Sequence, residues 1–158
     1  MAHGRTYKLL IFKPPAPAQP PAPVQQPVPE KKRDPIPELD ALLKGFSGEI
    51  GPGLISTVVA GRDGLSIAGV STDAQFNQTD AAARFSILMN LAGKVSAKLG
   101  TGRVEDNLTT TDKAYVITRY IGDGRYYWGV AVLRTASLGF VRMLMNEFAD
   151  LIWNTIPR

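Results

Sequence analysis

At 158 residues and 17.1 kDa the chain has room for one ordinary domain and little more. Its 44% hydrophobic and 20% charged residues are those of a globular protein, and the absence of cysteine excludes disulfides, thiolate catalysis and thiolate-held zinc. The formal charge of +4 lies wholly in residues 1–35, where Arg5, Lys8, Lys13, Lys31, Lys32 and Arg33 face Glu30 and Asp34; residues 36–158 are neutral, which argues against a nucleic-acid-tracking surface on the fold.

Residues 1–13 contain a β-prone stretch, Thr6 to Lys13, with Leu9-Leu10-Ile11-Phe12 held between lysines. Four apolar residues are too few for a signal-peptide core or a membrane span, so a cytoplasmic protein without a transmembrane segment is expected. Three readings of the stretch are open: a frayed terminus, a strand folded back on its own domain, and a tethered peptide docking on a partner through Tyr7, Leu9, Leu10, Ile11 and Phe12. Residues 14–35 form a linker, for ten of the 12 prolines lie between Pro14 and Pro37. Its Pro, Ala, Gln and Val composition cannot bury a core and favours extended chain.

Residues 36–158 read as one domain. Pro35 and Pro37 with Glu38 suit a helix start, and Leu39, Leu42, Leu43 and Phe46 make one apolar face before Gly48, Gly51, Pro52 and Gly53 end it. Leu54 to Ala60 and Leu65 to Val70 read as a hairpin across Arg62-Asp63-Gly64. A long helix follows, capped by Asn77 or Thr79 and stopped by Gly100. Arg103 to Thr110 is a polar strand, Ala114 to Ile121 and Arg125 to Leu133 a second hairpin, and Ser137 caps a last helix. The order α-β-β-α-β-β-β-α with short hairpins implies an α+β fold with a mainly antiparallel sheet.

The inventory speaks against catalysis. The only histidine, His3, lies in the tail, which removes imidazole acid-base and metal chemistry from the domain. Asp63 and Asp123 sit in Asp-Gly turns, where local hydrogen bonding accounts for them. The glycines of Gly48 to Gly53 run from helix into strand, the reverse of a phosphate-binding arrangement, and Gly93-Lys94 lacks the remainder of a P-loop. No cofactor or metal is expected. Tyr120, Tyr126, Tyr127 and Trp128, interleaved with Arg119 and Arg125, read as cross-strand packing pairs before they read as a base-stacking platform.

The long helix carries the functional signal. Phe85, Leu88, Met89, Ala92, Val95 and Leu99 form a wide apolar stripe, and Ala81, Ala82, Ala83, Ser86, Gly93, Ser96 and Ala97 keep further faces small. One sheet covers one face, so the helix is either enclosed within its own monomer or shared with a second partner.

Val58 to Ala68, with its Gly61-Arg62-Asp63-Gly64-Leu65 turn, resembles the first hairpin of roadblock/dynein-light-chain domains. The alanine-rich helix, the Gly122-Asp123-Gly124 hairpin and Leu138-Gly139-Phe140-Val141-Arg142 are also similar, over roughly residues 36–156. The resemblance implies a five-stranded antiparallel sheet with the first and last helices on one face and the middle helix on the other. It implies a homodimer formed by the middle helices and third strands, with Phe85, Leu88, Met89, Ala92, Val95, Val104 and Leu108 at the interface. It further implies a non-catalytic regulator or adaptor of a small Ras-like GTPase. The alternatives are a scaffold subunit docked into a larger assembly by its tail, and a PAS- or GAF-like ligand sensor, which would need an internal cavity with converging polar groups.

Overall fold

A computed structural model describes residues 35–157. The tail segment 1–13 and nearly all of the linker therefore lie outside the described residues. Helix α1 (Pro37–Ile50) begins with proline in its first turn beside Glu38 and Asp40, and buries Leu39, Leu43 and Phe46. It passes the expected stop at Gly48, an exposed position, and ends where Gly51 takes a positive φ of 69°. A 3-10 turn over Gly51–Gly53 leads into β1 (Leu54–Gly61), which turns back into β2 (Ser66–Ser71).

After α2 (Gln78–Leu99) come β3 (Asp106–Thr110), β4 (Ala114–Ile121), β5 (Tyr126–Leu133) and α3 (Leu138–Thr155). β3 starts three residues later than its composition suggests, leaving Arg103 and Val104 in the connecting loop. The strands form one sheet in the order β2-β1-β5-β4-β3, every neighbour antiparallel. Closing β5 against β1 makes the C-terminal hairpin the centre and leaves β2 and β3 as edges.

The two hairpins behave as their turn residues require. In the first, the Leu65 amide donates to Asp63 Oδ1 at 3.1 Å and Gly64 adopts φ 79°. In the second, the Arg125 amide donates to Asp123 Oδ1 at 3.1 Å. Strand alternation then divides the core in two. Val59, Trp128, Val130 and Val132 face α1 and α3 in the larger cluster, whereas Val58 and Ala60 face α2 with Ala82 and Phe85.

The aromatic run is packing material. Trp128 and Tyr127 are fully buried, Tyr126 nearly so, and Tyr120 pairs with Tyr127 across the β4–β5 register at a ring distance of 5.3 Å. The buried Trp128 indole donates to Thr57 Oγ1 at 2.7 Å. Replacing Thr57 with valine keeps the shape and leaves that N–H unpaired. The unfolding free energy in urea is expected to fall by about 1–3 kcal/mol; an unchanged midpoint would mean the bond contributes nothing net.

Candidate functional site: a protein-binding face on α2 and β3

Helix α2 is held at both ends by its own sequence. Asn77 caps it, its side chain accepting from the Asp80 amide at 3.0 Å. Asp80 then meets Arg84 one turn on at 2.7 Å, and this hydrogen bond first, its charge second, raises the Arg84 pKa above its ordinary value. At the other end Gly100 turns left-handed at φ 65°, and the Thr101 amide reaches back to the Ser96 carbonyl at 3.2 Å.

One face of the helix is occupied by its own sheet. Ala82 and Met89 have no exposed surface, and Ser86 donates to the Arg62 carbonyl at 2.8 Å, tying the helix to the β1–β2 turn. The Phe85 ring lies in the space that Gly129 leaves on β5. A methyl group at position 129 would stand 2.3 Å from that ring, so this glycine is required by the close approach.

The opposite face is bare. Ile87, Leu91, Val95 and Leu99 are 69%, 58%, 48% and 70% exposed. Spaced four apart, they form one continuous ridge along the helix, with Leu88 and Ala92 half-buried at its margin. Exposed apolar residues scattered singly need no explanation, but a four-residue ridge along one helix is a candidate contact surface.

The second component is the β3 edge. Among the described residues Asp106–Thr110 pairs with β4 alone, so it forms an edge of the sheet. Leu108 is 36% exposed there. The strand is short and polar, which guards an edge against indiscriminate pairing while leaving it open to a matched one. Arg142 of α3 holds its first residue, Asp106, at 2.8 Å.

The structure thus redistributes the expected interface residues. Val95 and Leu108 are on the surface, Leu88 and Ala92 are on its margin, and Val104 is half-buried in the loop before β3. Phe85 and Met89 face their own monomer instead: Met89 has no exposed surface, and the half-buried Phe85 ring fills the hollow that Gly129 leaves. Ile87 and Leu91 replace them on the outer face. Their i, i+4 relation to Val95 was available in the sequence. The tail residues Tyr7, Leu9, Leu10, Ile11 and Phe12 lie outside the described residues. Among the described residues no group of three or more histidines, cysteines and carboxylates is placed to hold a metal, and no helix is long and apolar enough to cross a membrane.

Residues 51–126, from the 3-10 turn to the start of β5, match the Roadblock/LC7 domain family. This stretch, just under half of the chain, is similar to Roadblock/LC7 domains. Similar solved structures carry the same architecture beyond those limits. Myxococcus xanthus MglB superposes with a TM-score of 0.67 at 15% identity, covering 73% of this chain and 92% of that one. A Roadblock/LC7 domain from Streptomyces avermitilis gives 0.66 at 22% identity, covering 73% and 94%. An MglB in a tetrameric arrangement gives 0.69 at 14% identity, covering 78% and 90%. At these identities the likeness establishes the roadblock fold. No curated protein sequence matches the chain.

Proposed function

We propose that this chain is a non-catalytic, homodimeric protein-binding module that regulates a small Ras-like GTPase. The observation that carries the reading is the exposed ridge Ile87–Leu91–Val95–Leu99, together with β3 as an edge strand. A helix ridge that is self-complementary about a two-fold axis suits an isologous dimer, and an antiparallel edge strand suits continuation of the sheet into a second copy. The tetrameric arrangement of one structurally similar MglB supports self-association as a property of this fold. The GTPase partner rests on the family resemblance, and the domain's own inventory supports a regulator in place of an enzyme.

The test is turnover. The purified chain alone is expected to hydrolyse no GTP, and to change the hydrolysis or exchange rate of its cognate small GTPase at least about tenfold, on the order of 1.4 kcal/mol of barrier. Hydrolysis by the chain alone would remove the non-catalytic reading, and an unaltered rate in a demonstrated complex would leave only scaffolding. Scaffolding is the second reading, favoured by the concentration of net charge and of an apolar run in residues 1–35. In that case Tyr7 and Leu9 to Phe12 dock on a component of a larger assembly.

A further inference from the structure

A second apolar surface lies on the opposite side of the domain from the α2 ridge. Helices α1 and α3 leave a groove of about 680 Å³ between them, floored by Leu42, Gly45, Phe148 and Leu151 and rimmed by Glu38 and Asn154. Leu151 is 49% exposed and Leu42 and Phe148 are half-buried, so the floor is apolar and open to an occupant. We propose that the occupant is the chain's own segment Tyr7–Lys13, folded back to cover the groove.

Three observations point there, and the first of them also argues against the α2 ridge. The first is charge. Helix α1 carries Glu38, Asp40 and Glu49 against Lys44, and α3 carries Glu147 and Asp150 against Arg142, so the pair is net −3. Residues 1–35 are net +4, and Lys8 and Lys13 bracket the apolar run. Helix α2 carries Arg84, Lys94 and Lys98 against Asp80, net +2, and repels the same segment.

The second is attachment. The tail joins the domain at Pro35, three residues before Glu38 on the groove's rim. From Glu38 to Gly45 the groove floor runs only about 10 Å along α1, at roughly 1.5 Å per residue. The 21 residues between Lys13 and Pro35 would reach roughly 65 Å at about 3.1 Å each. The segment therefore returns to the groove with chain to spare, and loop closure costs only the logarithm of that length. Tethering also holds it at an effective concentration on the order of millimolar, so a weak contact suffices.

The third is chemistry. Leu9, Leu10, Ile11 and Phe12 match an aliphatic and aromatic floor, and Lys8 or Lys13 comes to rest near Glu38. This gives the segment a resting site on its own domain.

The absence of native cysteine makes the test direct. In the full chain, Thr6→Cys accepts a single nitroxide label. In uniformly 15N-labelled, spin-labelled protein the amide signals of α1 and α3 are expected to lose most of their intensity, while those along the α2 ridge keep theirs. The loss is expected to disappear in a second variant carrying Leu151→Glu, a half-exposed position that tolerates the change, and to weaken severalfold with Lys8→Glu and Lys13→Glu. Mixing unlabelled-spin 15N protein with spin-labelled 14N protein separates the sources. Loss that appears equally in the mixture assigns the groove to the tail of a second copy and overturns the proposal. So does loss centred on α2 or β3, or no loss anywhere.

Discussion

Replacing Leu91 with glutamate is expected to separate the proposed dimer into folded monomers. Leu91 is 58% exposed and sits mid-ridge, so in a single chain the new carboxylate stands in water and glutamate sustains a helix as well as leucine does. In the proposed dimer the same carboxylate is buried without a partner, at a cost of about 3 kcal/mol or more. An isologous contact carries each substitution twice, so the dissociation constant should rise well beyond about 100-fold. Sedimentation velocity across a concentration series reads this directly, and circular dichroism should show unchanged helix and sheet. A Leu91→Glu chain that sediments as the parent dimer would place the interface elsewhere.

The same charge two residues earlier is expected to unfold the domain. Met89 lies on α2 with no exposed surface, one turn after Phe85 on the side that faces the sheet. Glutamate at that position must ionise in an apolar space or stay protonated at a raised pKa, and it also forfeits the packing of the thioether. A loss of about 3–5 kcal/mol is expected, against a total of roughly 5–15 kcal/mol for a domain of this kind. Urea unfolding followed by tryptophan fluorescence would show the midpoint fall steeply or the folded baseline vanish. The pair of variants is diagnostic together, because only the orientation of α2 distinguishes their outcomes. If Met89→Glu leaves the midpoint in place while Leu91→Glu unfolds the chain, the helix is rotated relative to the face described here.

Much of the architecture was legible because it is written in local chemistry. Asn77 caps α2 and Gly100 ends it, whatever lies across the domain, since a side-chain acceptor and a left-handed glycine satisfy the helix's own termini. Asp63-Gly64 and Asp123-Gly124 set the two hairpins for the same reason, and the hairpins set the antiparallel sheet. The division of charge between residues 1–35 and the neutral remainder is also a property of sequence alone. Where a boundary moved, a tertiary contact moved it. Helix α1 runs through Gly48 because Leu39, Leu43 and Phe46 anchor it under α3, where the Phe46 and Phe148 rings meet at 5.4 Å, and packing outweighs one exposed glycine.

The facing of α2 is what only the folded sheet decided. Its apolar residues surround more than one side of the helix, so periodicity allows several rotations of nearly equal merit. The choice is made by Gly129 on β5, distant in sequence, whose missing side chain opens the hollow that the Phe85 ring fills. Once Phe85 is seated, Met89 follows it inward one turn later, and Ile87 and Leu91 are turned out to water. A buried residue and an exposed one can thus have the same hydrophobicity and differ by two positions. Which of them meets a partner depends on a cavity contributed by another strand, and no local pattern along the helix contains that information.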